Sequence, residues 1–133
     1  MNDRQATILV SDDFLVSLTG KFTIIGIYTG DIGIFSDPSP ALQLVCLFIV
    51  ECDIGDPFQK LTFEIQIPGE QEPRRISQTI ITPPAIPGRS RWILRIPIPL
   101  TNVLLKPGQL RGKVIHEKGE IDVGGPWITL SQR

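Results

Sequence analysis

Apolar residues recur at every second position over most of this chain, which is the spacing of β-strands. The alternation is clearest over residues 61–67, where Leu61, Phe63, Ile65 and Ile67 share one parity and polar residues take the other. No segment keeps the i, i+3, i+4, i+7 spacing of a helix for three turns. Twelve prolines and twelve glycines interrupt the chain. The pattern therefore predicts short strands separated by turns.

The longest apolar run, residues 41–50, is the predicted central strand of the fold. One face carries five apolar residues: Leu42, Leu44, Cys46, Phe48 and Val50. The opposite face carries Val45, Leu47 and Ile49, which we call the second apolar face. A strand that is apolar on both faces lies inside a sheet that is covered on each side. We expect the cover to be either the proline-rich connectors or another subunit.

The remaining strands follow from the same alternation and from the turn residues between them. We predict strands over residues 6–11, 22–28, 32–35, 61–67, 75–82, 92–98, 110–117 and 121–130, with a polar break at residues 12–13. Pro97 and Pro99 place the end of their strand at a sheet edge or rim, because proline cannot donate to a β-ladder. The predicted fold is all-β, an antiparallel β-sandwich of eight or nine strands with little or no helix, immunoglobulin-like or C2-like.

Composition and charge narrow the class of protein. A chain of 133 residues with 41% hydrophobic and 20% charged residues is typical of one globular domain, here residues 1–133. The net charge of −1 supplies no field that would attract nucleic acid or an anionic membrane. The N-terminal residues lack the pattern of a secretory signal, so we expect a cytoplasmic location. Cys46 and Cys52 lie about 20 Å apart along an extended strand, which predicts two reduced thiols.

Catalytic chemistry has little support in the sequence. His116 is the only histidine, and no cysteine or histidine spacing matches a metal motif. It stands beside Glu117 and Lys118 at a predicted hairpin, so we expect a solvated residue. A hydrolase that works through His116 is the weakest functional hypothesis, and we expect no cofactor.

Six aspartates form a candidate cation site. Asp12, Asp13, Asp31, Asp37, Asp53 and Asp56 all fall between predicted strands. Calcium takes about six to eight oxygen ligands, and loops at one end of a sandwich can supply them. Aspartate is also common in turns because its side chain caps the local backbone. A ligand- or calcium-binding module is therefore the alternative functional hypothesis.

Five arginines form a second cluster in the sequence. Arg89, Arg91 and Arg95 share one strand parity, and Arg74 and Arg75 begin the preceding predicted strand. If those two strands pair, a basic stripe results that can meet phosphates or an acidic partner. The stripe can equally pair with carboxylates of its own chain, and a solvated face is the favoured interpretation.

Several segments resemble a family of short, uncharacterised bacterial proteins. The likeness runs over residues 8–13 (ILVSDD), 20–22 (GKF), 26–32 (GIYTGDI), 88–92 (GRSRW), 105–108 (LKPG) and 114–117 (VIHE). The resemblance implies a β-sandwich fold and a bacterial or phage-associated setting. It implies no reaction and no catalytic residues.

The second apolar face carries the functional hypothesis that we favour. Burying an apolar side chain of this size contributes about 1.5–3 kcal/mol, so leaving Val45, Leu47 and Ile49 exposed would promote association. We therefore predict a non-enzymatic sandwich that binds another protein or itself, most simply as a two-fold homodimer.

Overall fold

The computed structural model describes residues 4–19, 21–80 and 86–131 of the chain. Nine strands lie within these residues: β1 (Gln5–Val16), β2 (Phe22–Ile27), β3 (Ile32–Ile34), β4 (Ser39–Asp53), β5 (Lys60–Gln66), β6 (Arg74–Thr79), β7 (Arg91–Leu105), β8 (Gly108–His116) and β9 (Gly119–Leu130). None of the described residues is helical, and none belongs to a helix with the length and apolar character of a membrane span. The predicted all-β class is confirmed.

The strands form two sheets that pack face to face. One sheet has four strands in the order β2-β1-β4-β7, and the other has five in the order β3-β9-β8-β5-β6. Every neighbouring pair is antiparallel except β3 and β9, which run parallel. The predicted sandwich is therefore confirmed, with one correction: the five-stranded sheet is mixed. Residues 35–38 form the short connection from β3 to β4, which passes from the five-stranded sheet to the four-stranded one.

The core lies between the sheets and is built on alternate residues of β4. Leu44, Cys46, Phe48 and Val50 enter the same buried cluster as Phe63 of the opposite sheet. The rings of Phe48 and Phe63 meet with centroids 4.8 Å apart. Tilted aromatic pairs at this distance add to the stability that their burial provides. The central strand is therefore the one that the alternation predicts.

The second apolar face of β4 is also hidden from solvent. Val45 is 0% exposed and Leu47 is 4% exposed, while Ile49 is half-buried. All three alternate with the core residues and stand outside the main core cluster. Strands β1 and β7 flank them on either side. The prediction that β4 is covered on both faces is confirmed. Half of the connector over residues 83–88, one of the two expected covers, lies outside the described residues.

The alternation of β4 and β7 changes parity near Leu42 and Asn102. Leu100 is buried in the core, but beyond Asn102 it is Val103 and Leu105 that enter the core. Asn102 has a φ of 53°, in the left-handed region that non-glycine residues seldom adopt. On the paired strand Leu42 is 89% exposed. Its predicted place on the core face is therefore wrong, because a left-handed residue interrupts the two-residue period.

Two predicted boundaries are also wrong. Strand β1 continues through Asp12 and Asp13, where a break was expected, because β2 pairs with this part of β1. Strand β7 does not end at Pro97 or Pro99 but continues to Leu105. The edge position that these prolines predict is confirmed, since β7 is the last strand of its sheet. Pro97 and Pro99 occupy alternate positions of β7, so both fall where the backbone N–H need not donate to the neighbouring strand.

Candidate functional site

The most polar buried site joins the segment before β1 to the turn between β8 and β9. The Arg4 side chain is buried, and its Nη1 lies 2.8 Å from Nδ1 of His116. Its guanidinium stacks over the Phe58 ring, 4.7 Å from the centroid. Phe58 also meets the His116 ring edge to face, with centroids 5.8 Å apart. The three side chains therefore form one packed cluster, which we call the Arg4 cluster.

Carboxylates neutralise the buried charge of Arg4. Glu117 accepts from Nη1 at 3.1 Å and from Nη2 at 2.9 Å, a two-point contact of the kind that favours arginine. Asp56 lies 3.5 Å from Nη2 and accepts from Nζ of Lys118 at 2.7 Å. Burial opposes ionisation of Glu117, but its hydrogen bonds from Arg4 and Gln59 prevail and lower its pKa. The Lys118 hydrogen bond lowers the pKa of Asp56.

His116 is a buried residue, which corrects the prediction of a solvated one. Its side chain lies in the Arg4 cluster and the residue is 6% exposed. Burial lowers its pKa, and the positive charge of Arg4 lowers it further. A neutral ring is therefore the favoured form, with Nδ1 accepting from Arg4 and from the Lys118 amide at 3.3 Å. Because Nδ1 already accepts from two donors, it is not free to act as the base of the hypothetical hydrolase.

No sequence pattern indicated a role for Arg4, which stands 112 residues from His116. A buried arginine near a chain end has no local pattern of its own, and its partners come from two distant turns. The closest available signal was the mixed charge at Glu117 and Lys118. That mixture indicated a solvated turn because exposed turns have the same composition.

The predicted cation site is dispersed in the structure. Asp12 accepts from the Tyr28 hydroxyl at 2.7 Å, and Asp13 accepts from the Gln43 amide at 2.8 Å. Asp53 accepts from Arg91 at 2.9 Å. Asp56 lies 3.5 Å from Arg4, while Asp31 and Asp37 lie in the connectors on either side of β3. Within the described ranges, no three side chains from His, Cys, Asp and Glu come together where they could hold a metal ion.

The arginines do not form the predicted stripe. Strands β6 and β7 belong to different sheets and do not pair, so the premise of a continuous basic stripe is wrong. Arg91 contacts Asp53 and Glu51 instead. Arg74 contacts Glu70 at 2.8 Å, and Arg75 contacts Glu64. These are ion pairs within the chain, as the solvated interpretation expected.

Both cysteines are buried free thiols. Cys46 and Cys52 share the core face of β4 and do not form a disulfide. Burial raises the pKa of the Cys46 thiol to about 12. Burial also raises the pKa of Cys52. Neither thiol is activated as a nucleophile, because reactive cysteines require a lowered pKa.

Apolar side chains are exposed on the β1–β2 hairpin. Leu15, Val16 and Leu18 are each more than half exposed, and Ile25 and Ile27 are 42% and 45% exposed. We call these five residues the hairpin surface. The predicted interface residues Val45 and Leu47 lie inside the protomer instead. The apolar content of residues 14–27 could have indicated the hairpin surface, but the sequence pattern predicted only a strand over residues 22–28 and named no exposed face for it.

Comparison with known proteins adds no relative: no protein-family model, curated protein or solved structure matches this chain. The fold and the contacts described above therefore define the class of protein directly. It is an all-β protein of two packed sheets, with a buried charged cluster at one end and an exposed apolar hairpin on its four-stranded sheet.

Proposed function

We propose that this protein is a non-enzymatic β-sandwich that functions by self-association through the hairpin surface. The observation that carries the proposal is the exposure of five large aliphatic side chains on one hairpin. Each would contribute about 1.5–3 kcal/mol if it were fully buried. Leu15 and Val16 are successive residues of β1 and face opposite sides, so the hairpin exposes apolar residues on both of its faces, and exposed apolar patches mark protein contact sites.

The hairpin surface replaces the second apolar face in this proposal. Val45 and Leu47 are buried within a single chain, so a partner gains nothing further by covering them. Leu18 projects from the tip of the hairpin and Leu15 precedes it on β1, and both offer apolar area without any rearrangement of the core. A protein contact at this position leaves the sandwich intact.

A non-catalytic role is supported by what the reactive side chains contact. His116 accepts hydrogen bonds from Arg4 and the Lys118 amide. Asp12, Asp13 and Asp53 each accept from a side-chain donor of the same chain. Side chains that already accept hydrogen bonds from the same chain stabilise the fold. A substrate would have to displace those donors before it could bind to them.

The proposed setting follows from the thiols and from the sequence resemblance. Two buried free cysteines suit a reducing compartment, so we keep the cytoplasm as the proposed location. The bacterial setting that the resemblance implies stays a prediction.

Light scattering on a dilution series tests the proposal. We expect the mass to rise from that of the 14.8-kDa chain toward twice that value as concentration increases into the high micromolar range. Ile25→Glu should weaken association at least about tenfold, which corresponds to about 1.4 kcal/mol. The matched control is Leu104→Glu on β7, which replaces a half-exposed aliphatic residue at the opposite edge of the four-stranded sheet and should associate like the wild type. A monomeric mass at every concentration would overturn the proposal.

A further inference from the structure

The four edge strands of the sandwich are not equally protected against pairing with another strand. Natural edges are commonly blocked by charged residues, by proline or by being very short. Strand β7 carries Pro97 and Pro99, β6 begins with two arginines, and β3 has three residues. Strand β2 (FTIIGI) has six residues with no charge and no proline. Of the edges in the described chain, β2 is therefore the one best able to accept another strand.

Hydrogen bonds to β1 show which β2 backbone groups face outward. The Ser17 amide donates to the Lys21 carbonyl at 2.7 Å, and residues 22–25 continue the same register against β1. Bonded and open positions alternate along an antiparallel pair. Thr23 and Ile25 therefore bond to β1, and the N–H and C=O of Ile24 point to the open side. Beyond Gly26 the Tyr28 amide donates to Val10, so the parity has changed.

Gly26 accounts for this change of parity. Its φ of +70° lies in the left-handed region, and the Asp12 carboxylate fills the space that a Cβ would occupy. The glycine therefore limits the regular open edge to residues 22–25. Ile24 is the residue of this segment that lies nearest its middle and offers both a donor and an acceptor.

We infer that β2 pairs antiparallel with β2 of a second copy, about a two-fold axis at Ile24, so that two four-stranded sheets become one sheet of eight strands. The inference rests on the proposed self-association and specifies its geometry. A residue on the two-fold axis of an antiparallel pair bonds to its own copy, with each N–H donating to the other carbonyl. The same edge then serves both partners, as a two-fold interface requires.

The side chains next to this edge suit a second copy of the chain. In this register Ile25 stands opposite Thr23 of the second copy and diagonal to the Ile25 of that copy, so the two exposed Ile25 side chains lie on one face of the joined sheet within reach of each other. Because β1 contacts β9 of the other sheet, β2 and β3 lie on the same lateral side of the sandwich. Phe35, which follows β3, is largely exposed.

Backbone amide exchange in the wild-type protein tests the pairing directly. The rate at Ile24 is measured by NMR at concentrations below and above the association midpoint found by light scattering. We expect the Ile24 amide to exchange at least about tenfold more slowly in the associated state, because a hydrogen-bonded amide must open before it exchanges. The matched amides are those of β6, an edge on the opposite side, which should not change.

Two substitutions at the same position separate backbone pairing from side-chain packing. Ile24→Pro removes the outward N–H and should abolish association, whereas Ile24→Val keeps it and should associate within about threefold of the wild type. If Ile24→Pro does not fold, the exchange measurement on the wild type decides whether the two β2 strands pair. An associated protein whose Ile24 amide exchanges unchanged would overturn the β2 pairing and leave self-association intact. A monomer at every concentration would overturn both.

Discussion

Arg4 and His116 are in direct contact, 2.8 Å apart between Nη1 and Nδ1, although 112 residues of chain separate them. This contact joins the segment before β1 to the turn that links β8 and β9. The neighbouring carboxylate of Glu117 binds the same guanidinium at two points. The start of the four-stranded sheet is therefore fixed to the five-stranded sheet by polar contacts as well as by the apolar core.

The Arg4–Glu117 ion pair should respond unequally to loss of either partner. Glu117→Gln leaves the buried Arg4 charge poorly compensated, and we expect a loss of about 3 kcal/mol or more in the free energy of unfolding. Arg4→Met leaves a carboxylate that is 23% exposed and can regain water, so the loss should be about 1.5–3 kcal/mol. Urea denaturation of both variants measures the difference.

The exposed pair of Lys113 and Glu120 is the control for this comparison. These side chains lie 3.5 Å apart and are 37% and 55% exposed. Glu120→Gln should change the free energy of unfolding by less than about 0.5 kcal/mol, because exposed ion pairs contribute little. An equal loss for Glu117→Gln and Glu120→Gln would show that the Arg4 cluster adds no special stability.

Stability should fall as the pH drops below the ordinary pKa of histidine. Burial and Arg4 lower the pKa of His116 below 6.5, so the unfolded chain gains a proton before the folded chain does. The contribution of the neutral ring is therefore complete above about pH 6.5 and is lost as the pH falls toward the folded pKa. Glu117 and Asp56 also have lowered pKa values, and their contributions are lost only at more acidic pH.

Thermal unfolding from about pH 7.5 to about pH 5.5 measures this effect of His116. The Tm of the wild type should decrease over this range. His116→Asn keeps an acceptor for Arg4 but cannot gain a proton, so its Tm should depend less steeply on pH. If the Tm of the two proteins depended equally on pH, His116 would not be the source of the pH dependence.

Gly112 should not tolerate a side chain. A Cβ at this position would lie 3.0 Å from Cε1 of Phe48 and 3.5 Å from Cδ1 of Ile8. We expect Gly112→Ala to lower the free energy of unfolding by about 1–3 kcal/mol, because the Phe48 ring must shift within a packed core. In a Phe48→Leu background the same substitution should cost less, which a double-mutant cycle measures. Gly55→Ala, where nothing lies within 4 Å of the new Cβ, is the neutral control.

Replacement of Asn102 by a β-branched residue should be destabilising because of the backbone conformation at this position. At a φ of 53°, Asn102→Val is expected to cost about 1–2 kcal/mol of unfolding free energy. Asn102→Gly should stay within about 0.5 kcal/mol of the wild type, because glycine adopts this conformation without strain. If both variants unfold at the same urea concentration, the left-handed conformation is not the cause of the parity change.

The sequence predicted the sheets better than it predicted the contacts between distant segments. The alternation of Leu61, Phe63 and Ile65 and the apolar run at β4 depend on local period, and the structure confirms both. The parity change at Asn102 was missed because asparagine has no signature that separates a left-handed strand position from an ordinary one. Leu42 was misplaced for the same reason.

The candidate sites were less predictable because they depend on tertiary pairing. His116 is buried only because Arg4 and Phe58 reach it from two other segments. The prediction of an arginine stripe was wrong because β6 and β7 belong to different sheets. The spacing of apolar residues within a strand does not indicate which sheet the strand joins. The hairpin surface is exposed because β1 and β2 continue beyond the last pairing of β1 with β4.

Solvent accessibility of methyl groups is the most direct test of the central claim, that a single chain covers β4 on both faces and leaves the hairpin exposed. The measurement is NMR of methyl-labelled protein with a soluble paramagnetic agent, at a concentration where light scattering gives the mass of one chain. We expect unaffected signals for Val45 and Leu47 and strong broadening for Leu15 and Leu18. Strong broadening of Leu47 with protection of Leu18 would contradict it.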